Sequence, residues 1–279
     1  MCRLLAYVGP EPRSLRTAVG EATYTGFRDL ARVHGDGWGM TWADPDAAGS
    51  PRVRRSVASA AVDPDFDTAA TNVAATAGFL HLRWATAGYP VVADNTHPFV
   101  ADGWAFAHNG FVRGSDGIER LLTTRHRESL AGTTDSERYF HLVLQSAEQT
   151  GDIVRGVQLA AQTIADRCGA VSINAMMLSS TRLLAVHGLR GAQPPLDDLV
   201  ELFPDPAGMP ADHTEDYFRL SYRYVGETLV IGSSGLPNER WVDLPAEVVM
   251  DVDLTTGDWE VHPLGVVAVS GRLETAESA

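Results

Sequence analysis

Met1-Cys2-Arg3-Leu4-Leu5-Ala6-Tyr7-Val8 opens the chain. The apolar run after Cys2, stopped by Gly9-Pro10, predicts a buried strand over residues 3–8. It is too short for the apolar centre of a signal peptide, so no secretory leader is expected. Cysteine is small, and loss of Met1 would leave Cys2 as the first residue. A thiol and a free α-amine would then share one residue. A thiol ordinarily titrates near ~8.5 and an α-amine near ~7.7–8, so the amine is partly neutral at pH 7. It can activate the neighbouring nucleophile, as a terminal amine does for an N-terminal threonine. A small second residue is equally compatible with no catalysis, and the rest of the chain decides between these readings.

Outward from that strand, the pattern predicts strands over 38–42, 53–57, 79–85 and 104–107. Helices are expected near 14–19, over 63–75 (Pro64 in the first turn), 134–149 and 152–168. Thr134 with Glu137 three residues on fits a capping box. Further strands are expected over 171–178, 182–187, 217–225, 228–231, 248–253 and 259–262. Strands in runs, then two helices, then strands again, do not alternate as a parallel sheet requires. They predict antiparallel sheets with a helical layer, an α+β plan. Residues 43–51 read as a turn region. Residues 191–216, rich in Pro and Asp, read as a surface excursion, either a lid or a plain loop. The tail from about 271 is expected to fray. No composition break divides the chain, so one domain over 1–279 is expected.

Hydrophobic residues at 44% and charged residues at 21% give an ordinary globular balance. No stretch approaches the ~20 apolar residues of a membrane helix, and a cytoplasmic location is expected. A net charge of −14 repels phosphate backbones, which excludes nucleic acid as a partner class. The two cysteines, Cys2 and Cys168, form no disulfide framework, and Cys168 reads as a packed thiol at a helix end.

Four signatures follow Cys2. His34-Gly35-Asp36-Gly37-Trp38-Gly39 permits close backbone approach and lacks the Gly-Lys-Ser/Thr ending of a phosphate loop; a tight turn before a strand also explains it. His81-Leu82-Arg83-Trp84-Ala85-Thr86-Ala87-Gly88 ends a strand. Arg83 either pairs with a carboxylate through its planar fork or is an ordinary exposed strand arginine. Phe106-Ala107-His108-Asn109-Gly110 offers a side-chain NH₂ at Asn109 and an unshielded N–H at Gly110. Two such donors aimed at one oxygen make an oxyanion hole, and an Asn-Gly turn at a strand end is the alternative. Thr133-Thr134-Asp135-Ser136-Glu137 places a carboxylate where it could receive an ammonium group or satisfy a helix N-terminus. Asn95-Thr96-His97-Pro98-Phe99 reads as a structural loop. His34, His81, His97 and His108 lack the spacing of a metal hydrolase, so no metal or other cofactor is expected.

Taken together and in order, these motifs resemble the glutaminase domain of class II glutamine amidotransferases, which are N-terminal nucleophile hydrolases. The motifs cover about the first half of the chain. The resemblance implies a four-layer αββα sandwich of two antiparallel sheets. It implies Cys2 as nucleophile with its α-amine as base, and Asn109 with the Gly110 amide as oxyanion hole. By the same resemblance Arg83 holds the α-carboxylate of a γ-glutamyl group and Asp135 its α-amine, while Trp84 and Thr86 line the pocket. Two positions depart from the sugar-phosphate aminating members. Ala87 stands where those usually have a histidine, and His34 where they have an arginine ahead of the glycine loop. No phosphoribosyl, sugar-isomerase or nucleotide-binding signature follows the motifs.

The resulting expectation is a stand-alone amidohydrolase. It would release glutamate from glutamine or a γ-glutamyl peptide or conjugate through a Cys2 thioester, with a small-molecule γ-glutamyl compound as its partner. One alternative is a glutaminase subunit supplying ammonia to a separate synthase. Another, from a different class, is a non-catalytic γ-glutamyl-binding module. The leaving group, pathway and oligomeric state are not legible in the residues.

Overall fold

The computed structural model describes residues 2–43, 49–203, 205, 209–210, 213–214, 216–237 and 240–265. The expected frayed tail lies outside them, as does most of the 43–51 turn region.

The first strand, β1 (Arg3–Ser14), runs beyond the apolar core of residues 3–8. It sits between β4 (Ala74–Leu82) and β10 (Thr228–Ser233) in an antiparallel sheet ordered β11-β9-β10-β1-β4-β2-β3. The other members are β2 (Trp38–Ala43), β3 (Arg52–Ser56), β9 (Leu220–Val225) and β11 (Val242–Asp243). The second antiparallel sheet is ordered β13-β12-β8-β7-β6-β5. It comprises β5 (Phe99–Ala101), β6 (Trp104–Arg113), β7 (Gly169–Leu178), β8 (Arg182–His187), β12 (Val248–Asp253) and β13 (Trp259–Pro263).

Side-chain alternation sorts three cores. Leu4, Ala6 and Val8 of β1 meet Ala105, Ala107, Met176 and Leu178 of the second sheet, with Phe79 and Ile231 beside them. That core lies between the sheets. Leu5 and Tyr7, one residue out of phase, pack with Leu15, Val19, Phe27 and Phe66 from α1 (Leu15–Val19), α2 (Glu21–Asp29) and α3 (Pro64–Asn72). Phe106 and Ile173 face Tyr139, Phe140, Val157 and Ile164 from α6 (Asp135–Thr150) and α7 (Ile153–Arg167), with Ile118 of α4 (Ser115–Leu121). The layers are therefore helix, sheet, sheet, helix, the expected αββα sandwich. Each fully buried Leu, Ile or Phe contributes about 1.5–3 kcal/mol.

Several boundaries differ from expectation for tertiary reasons. Helix α3 stops at Asn72 rather than 75, because Val73 turns extended and Ala74 and Ala75 pair with Ser14 and Arg13 of β1. Strand pairing outweighs the helix propensity of that Ala-rich run. The expected 79–85 strand ends at Leu82. The expected 104–107 strand continues to Arg113 against β7, so Asn109-Gly110 lies inside a strand and not in a turn at its end. Cys168 does cap α7, half-buried against the helix-side core, and burial raises its thiol pKa. The excursion is more than a surface loop. It carries α8 (Leu196–Leu202), and Leu199 and His213 are buried; the expected 217–225 strand starts only at Leu220. Pattern reading passed over α2, α4, α8, β5, β11 and the short helix α5 (Thr124–Glu128).

Candidate active site

Alternation along β1 and β6 brings the first two site residues together. Cys2 shares the phase of Leu4 and Ala6, and Asn109 that of Ala105 and Ala107, so both face the space between the sheets. The Cys2 nitrogen donates to Asn109 Oδ1 at 3.0 Å. Cys2 is 7% exposed and Asn109 is fully buried. The Cys2 Sγ lies 3.9 Å from the carbonyl of Trp84. Because Oδ1 is held by the Cys2 nitrogen, the other end of the amide, Nδ2, points elsewhere. It is buried without a hydrogen-bond partner among the described residues. A buried amide left in that state costs about 1–3 kcal/mol, and a ligand oxygen beside Cys2 would relieve it.

The glycine loop secures the next motif. Arg83 N donates to Gly37 O and Asp36 N to Arg83 O, each at 2.9 Å, and Ala85 N donates to Asp36 Oδ2 at 2.8 Å. The arginine is not an exposed strand residue: it is 2% exposed. Its Nη2 donates to Pro90 O at 3.2 Å, while Nη1 is buried with no partner among the described residues. Since Arg3 pairs with Leu82, the next position outward sets Cys2 beside Arg83 on the same sheet face. Trp84 and Thr86 are partly exposed beyond it.

Asp135 opens α6 but does not cap it. Thr134 Oγ1 accepts from Glu137 N at 3.3 Å, as a capping box requires. The Glu137 carboxylate then reaches back past the cap to Ala131 N and Gly132 N, at 2.9 and 2.8 Å. The Asp135 carboxylate still meets N–H groups at the helix start, and its Oδ2 accepts from Val112 N at 2.7 Å. Burial raises its pKa, opposed by His108 and by backbone N–H groups. His108 Nε2 donates to Ser172 O and Nδ1 faces Ser136 Oγ, each at 2.9 Å; since a carbonyl can only accept, the ring carries its proton on Nε2. The expected structural loop ties these parts together. Asn95 Nδ2 donates to Pro90 O, and Asn95 Oδ1 accepts from Thr133 N.

Residues 1–192, more than half of the chain, match the family model described as glutamine amidotransferases class-II. The chain belongs to this family. It is accordingly an enzyme of the class II glutamine amidotransferase type. Among curated relatives, the glutamine–fructose-6-phosphate aminotransferase (isomerizing) of Tropheryma whipplei strain Twist is 27% identical over 176 residues, 62% of this chain and 27% of that protein. The same-named protein of Yersinia pseudotuberculosis is 32% identical over 110 residues, 39% of this chain and 17% of that protein. The chain thus spans about a quarter or less of the curated relatives it matches. A solved glutamine aminotransferase class-II domain protein from Silicibacter pomeroyi superposes with a TM-score of 0.59 at 20% identity, covering 95% of this chain and 100% of that one. Glutamine phosphoribosylpyrophosphate amidotransferase from B. subtilis superposes with 0.61 at 13% identity, covering 95% and 50%. At these identities the structures share the fold with this class II domain.

The histidines of the class II domain fall into separate groups. His81 and His97 lie in contact, tilted at 40° with ring centroids 4.3 Å apart, and neither ring nitrogen of either has a partner in good geometry among the described residues. Burial drives the His81 pKa down to about 3 and that of His97 well below the ordinary value. His34 Nε2 lies 3.4 Å from His213 Nε2. Among the described residues, Asp102, His126 and Glu148 form a group whose ligand atoms converge within 4.8 Å. Arg125 already bridges Asp102 and Glu148 there, and His126 Nε2 is 3.3 Å from Glu148 Oε2. No helix among the described residues is long and apolar enough to cross a membrane.

Residue patterns missed Asp36, Arg3, His213 and Tyr217 as neighbours of the site. A lone carboxylate among three glycines was a legible signal for Asp36, and a cation inside an apolar strand was one for Arg3. His213 and Tyr217 carried no local signal, because they reach the site only through the path of a long connection.

Proposed function

We propose that the protein hydrolyses a γ-glutamyl amide bond, in glutamine or in a γ-glutamyl peptide or conjugate, and releases glutamate. The observation that carries this reading is the 3.0 Å bond from the Cys2 nitrogen to Asn109 Oδ1, with Asn109 Nδ2 buried beside it and without a partner among the described residues. After removal of Met1 that nitrogen is an α-amine. One of its hydrogens is held by Asn109, which leaves its lone pair for the Cys2 thiol proton. The sulfur attacks the γ-carbonyl carbon, and the carbonyl electrons move to oxygen. Asn109 Nδ2 and the Gly110 N–H donate to that oxyanion, each worth about 3–4 kcal/mol in the transition state. Collapse breaks the C–N bond, and the departing amine takes the proton from the α-ammonium. Water then attacks the γ-glutamyl thioester, gives its proton to the amine, and glutamate leaves as the thiol is restored.

Arg83 binds the substrate α-carboxylate through Nη1, which has no partner among the described residues, a role its buried fork suits. Asp135 receives the α-ammonium, and Trp84 and Thr86 line the pocket. The chain over 1–279 acts as one domain, in the cytoplasm. Glutamate release from a panel of γ-glutamyl amides and dipeptides by the purified protein tests the reading. Turnover across that panel supports it. No release from any member, by protein that has lost Met1, overturns it.

A second reading is favoured by the curated relatives, aminotransferases of which this chain spans 27% or less in the cases above. On it the domain supplies ammonia to a synthase partner. Hydrolysis of glutamine that appears only on adding such a partner distinguishes it from the first.

A further inference from the structure

We infer that Arg3 is a positioning residue for the Cys2 nucleophile, held in place by His213 from the connection between β8 and β9. The inference rests on the nucleophilic role proposed for Cys2. Arg3 is fully buried on the first strand, next to Cys2, with its side chain on the sheet face opposite the site. Its Nη1 donates to Cys2 O at 3.0 Å and to Tyr217 O at 3.3 Å. Its Nε and Nη2 lie 3.4 and 3.2 Å from His213 Nε2, and its Cζ sits 3.8 Å from the Tyr217 ring centroid. Arginine only donates, so His213 Nε2 is the acceptor and its ring proton is on Nδ1.

No carboxylate is within ion-pair distance of Arg3 among the described residues. Burying a cation without an anion is costly, and an apolar side chain would serve packing alone better. Burial lowers the Arg3 pKa, while the fields of Tyr217 and Cys2 oppose that. The group this cation grips on Cys2 is its carbonyl oxygen, from the face of the strand opposite the sulfur. Its grip is geometric. Asn109 holds the nitrogen of Cys2 and Arg3 holds its carbonyl oxygen. With both ends of the residue pinned, one torsion, χ1, remains to aim Sγ.

His213 links this grip to the connection that also carries Leu199 and Phe218. Those residues pack with Tyr217, Trp84 and Val33 in one small cluster. The connection thus touches the wall of the pocket at Trp84 and the support of the nucleophile at Arg3. Its sequence sets the aim of Cys2 as well as the shape beyond the glutamyl group.

The test compares wild type with Arg3→Met, Arg3→Lys, His213→Gln and the Arg3→Met/His213→Gln double variant. Turnover of glutamine and of γ-glutamyl dipeptides is measured beside the rate at which iodoacetamide labels Cys2, read by mass spectrometry, and the thermal midpoint. Arg3→Met is expected to lower kcat by about a hundredfold, with KM changed less than about threefold, because the loss is one of aim at the transition state. Cys2 labelling slows with it, since the sulfur is no longer held in one orientation at the mouth of the site. Arg3→Lys, which keeps the charge, recovers part of both. His213→Gln loses about tenfold, and the double variant is no worse than Arg3→Met, as expected of residues acting through one contact.

Folded Arg3→Met with wild-type kcat and labelling overturns the inference, as does a change in KM alone. Should Arg3→Met not fold, Arg3→Lys and His213→Gln with unaltered labelling overturn it equally. Labelling reports on Cys2 without any substrate. A failure of the γ-glutamyl reading therefore shows separately, as wild-type protein that labels at Cys2 but turns over nothing.

Discussion

The nitrogen of Cys2 donates to Oδ1 of Asn109 over 3.0 Å, across 107 positions of sequence. The bond joins the residue just before β1 of one sheet to β6 of the other, beside the core between them. It fixes which way the Asn109 amide faces, and so where its NH₂ is offered. Asn109→Ala is expected to lower kcat by about 10²–10³-fold while leaving KM nearly unchanged, the behaviour of an oxyanion donor. Steady-state kinetics on a γ-glutamyl dipeptide check it. A variant within about threefold of wild type would falsify the donor role.

Loss of Met1 should be obligatory. While Met1 remains, the Cys2 nitrogen is an amide, which has no basic lone pair to take the thiol proton. Protein in which Met1 is retained is expected to fold normally and turn over nothing. Cys2→Ala is expected to be equally inactive with an unchanged thermal midpoint. Intact-mass measurement beside an activity assay tests both, and brisk turnover by the Met1-bearing species would count against the amine as base.

At Asp135 activity and stability should part company. Burial raises its pKa, so the folded state holds a proton there more readily than the unfolded state does. Below the unfolded value both states are protonated. As pH rises past it the folded state is disfavoured, so at pH 7 the ionised group detracts from stability. Asp135→Asn keeps an acceptor for Val112 N and is expected to be at least as stable as wild type at neutral pH. It should lose most γ-glutamyl binding, seen as a raised KM. In wild type KM should climb as pH falls toward the raised pKa, and in Asp135→Asn that dependence should vanish.

The buried pair His81 and His97 should make the fold sensitive to acid. Their folded pKa values lie below the unfolded value, His81 at about 3. The contribution of these neutral rings is complete above pH 6.5 or so. It is lost as pH falls from there toward the folded pKa, since only the unfolded state takes up the protons. Each histidine adds a slope of about 1.4 kcal/mol per pH unit within that window. Denaturant unfolding between pH 7 and 4 should show this decline, and His81→Phe should flatten it. An equally steep decline in His81→Phe would remove the histidine from the explanation.

Gly110 is required by space as well as by its N–H. A Cβ there would lie 2.0 Å from Ser172 O and 2.7 Å from His108 Nε2. Neither the β7 backbone nor a ring bonded on both sides can yield cheaply, so Gly110→Ala is expected to cost about 3 kcal/mol or more. Thermal unfolding of the variant checks the figure, and an unshifted midpoint contradicts the packing described.

The sequence by itself determined the α+β class, the long helices near 134–149 and 152–168, and the order of the motifs. Those rest on local rules: side-chain period, caps and turn residues. Cys2, Arg83, Asn109 and Asp135 stood out as candidates through the order of their motifs, each of which had a plain structural reading when taken alone. Whether Arg83 is buried or exposed was not legible, nor whether Asn109-Gly110 is a turn or mid-strand. Both depend on which strand lies alongside, and pairing is a long-range choice. Only the tertiary structure decided that Asp36 fastens the Arg83 loop, that Asp135 accepts from Val112 N of β6, and that Arg3 and His213 meet behind Cys2. Such contacts join residues up to 210 positions apart. Their geometry is set by how the layers stack, and no local pattern in the chain encodes it.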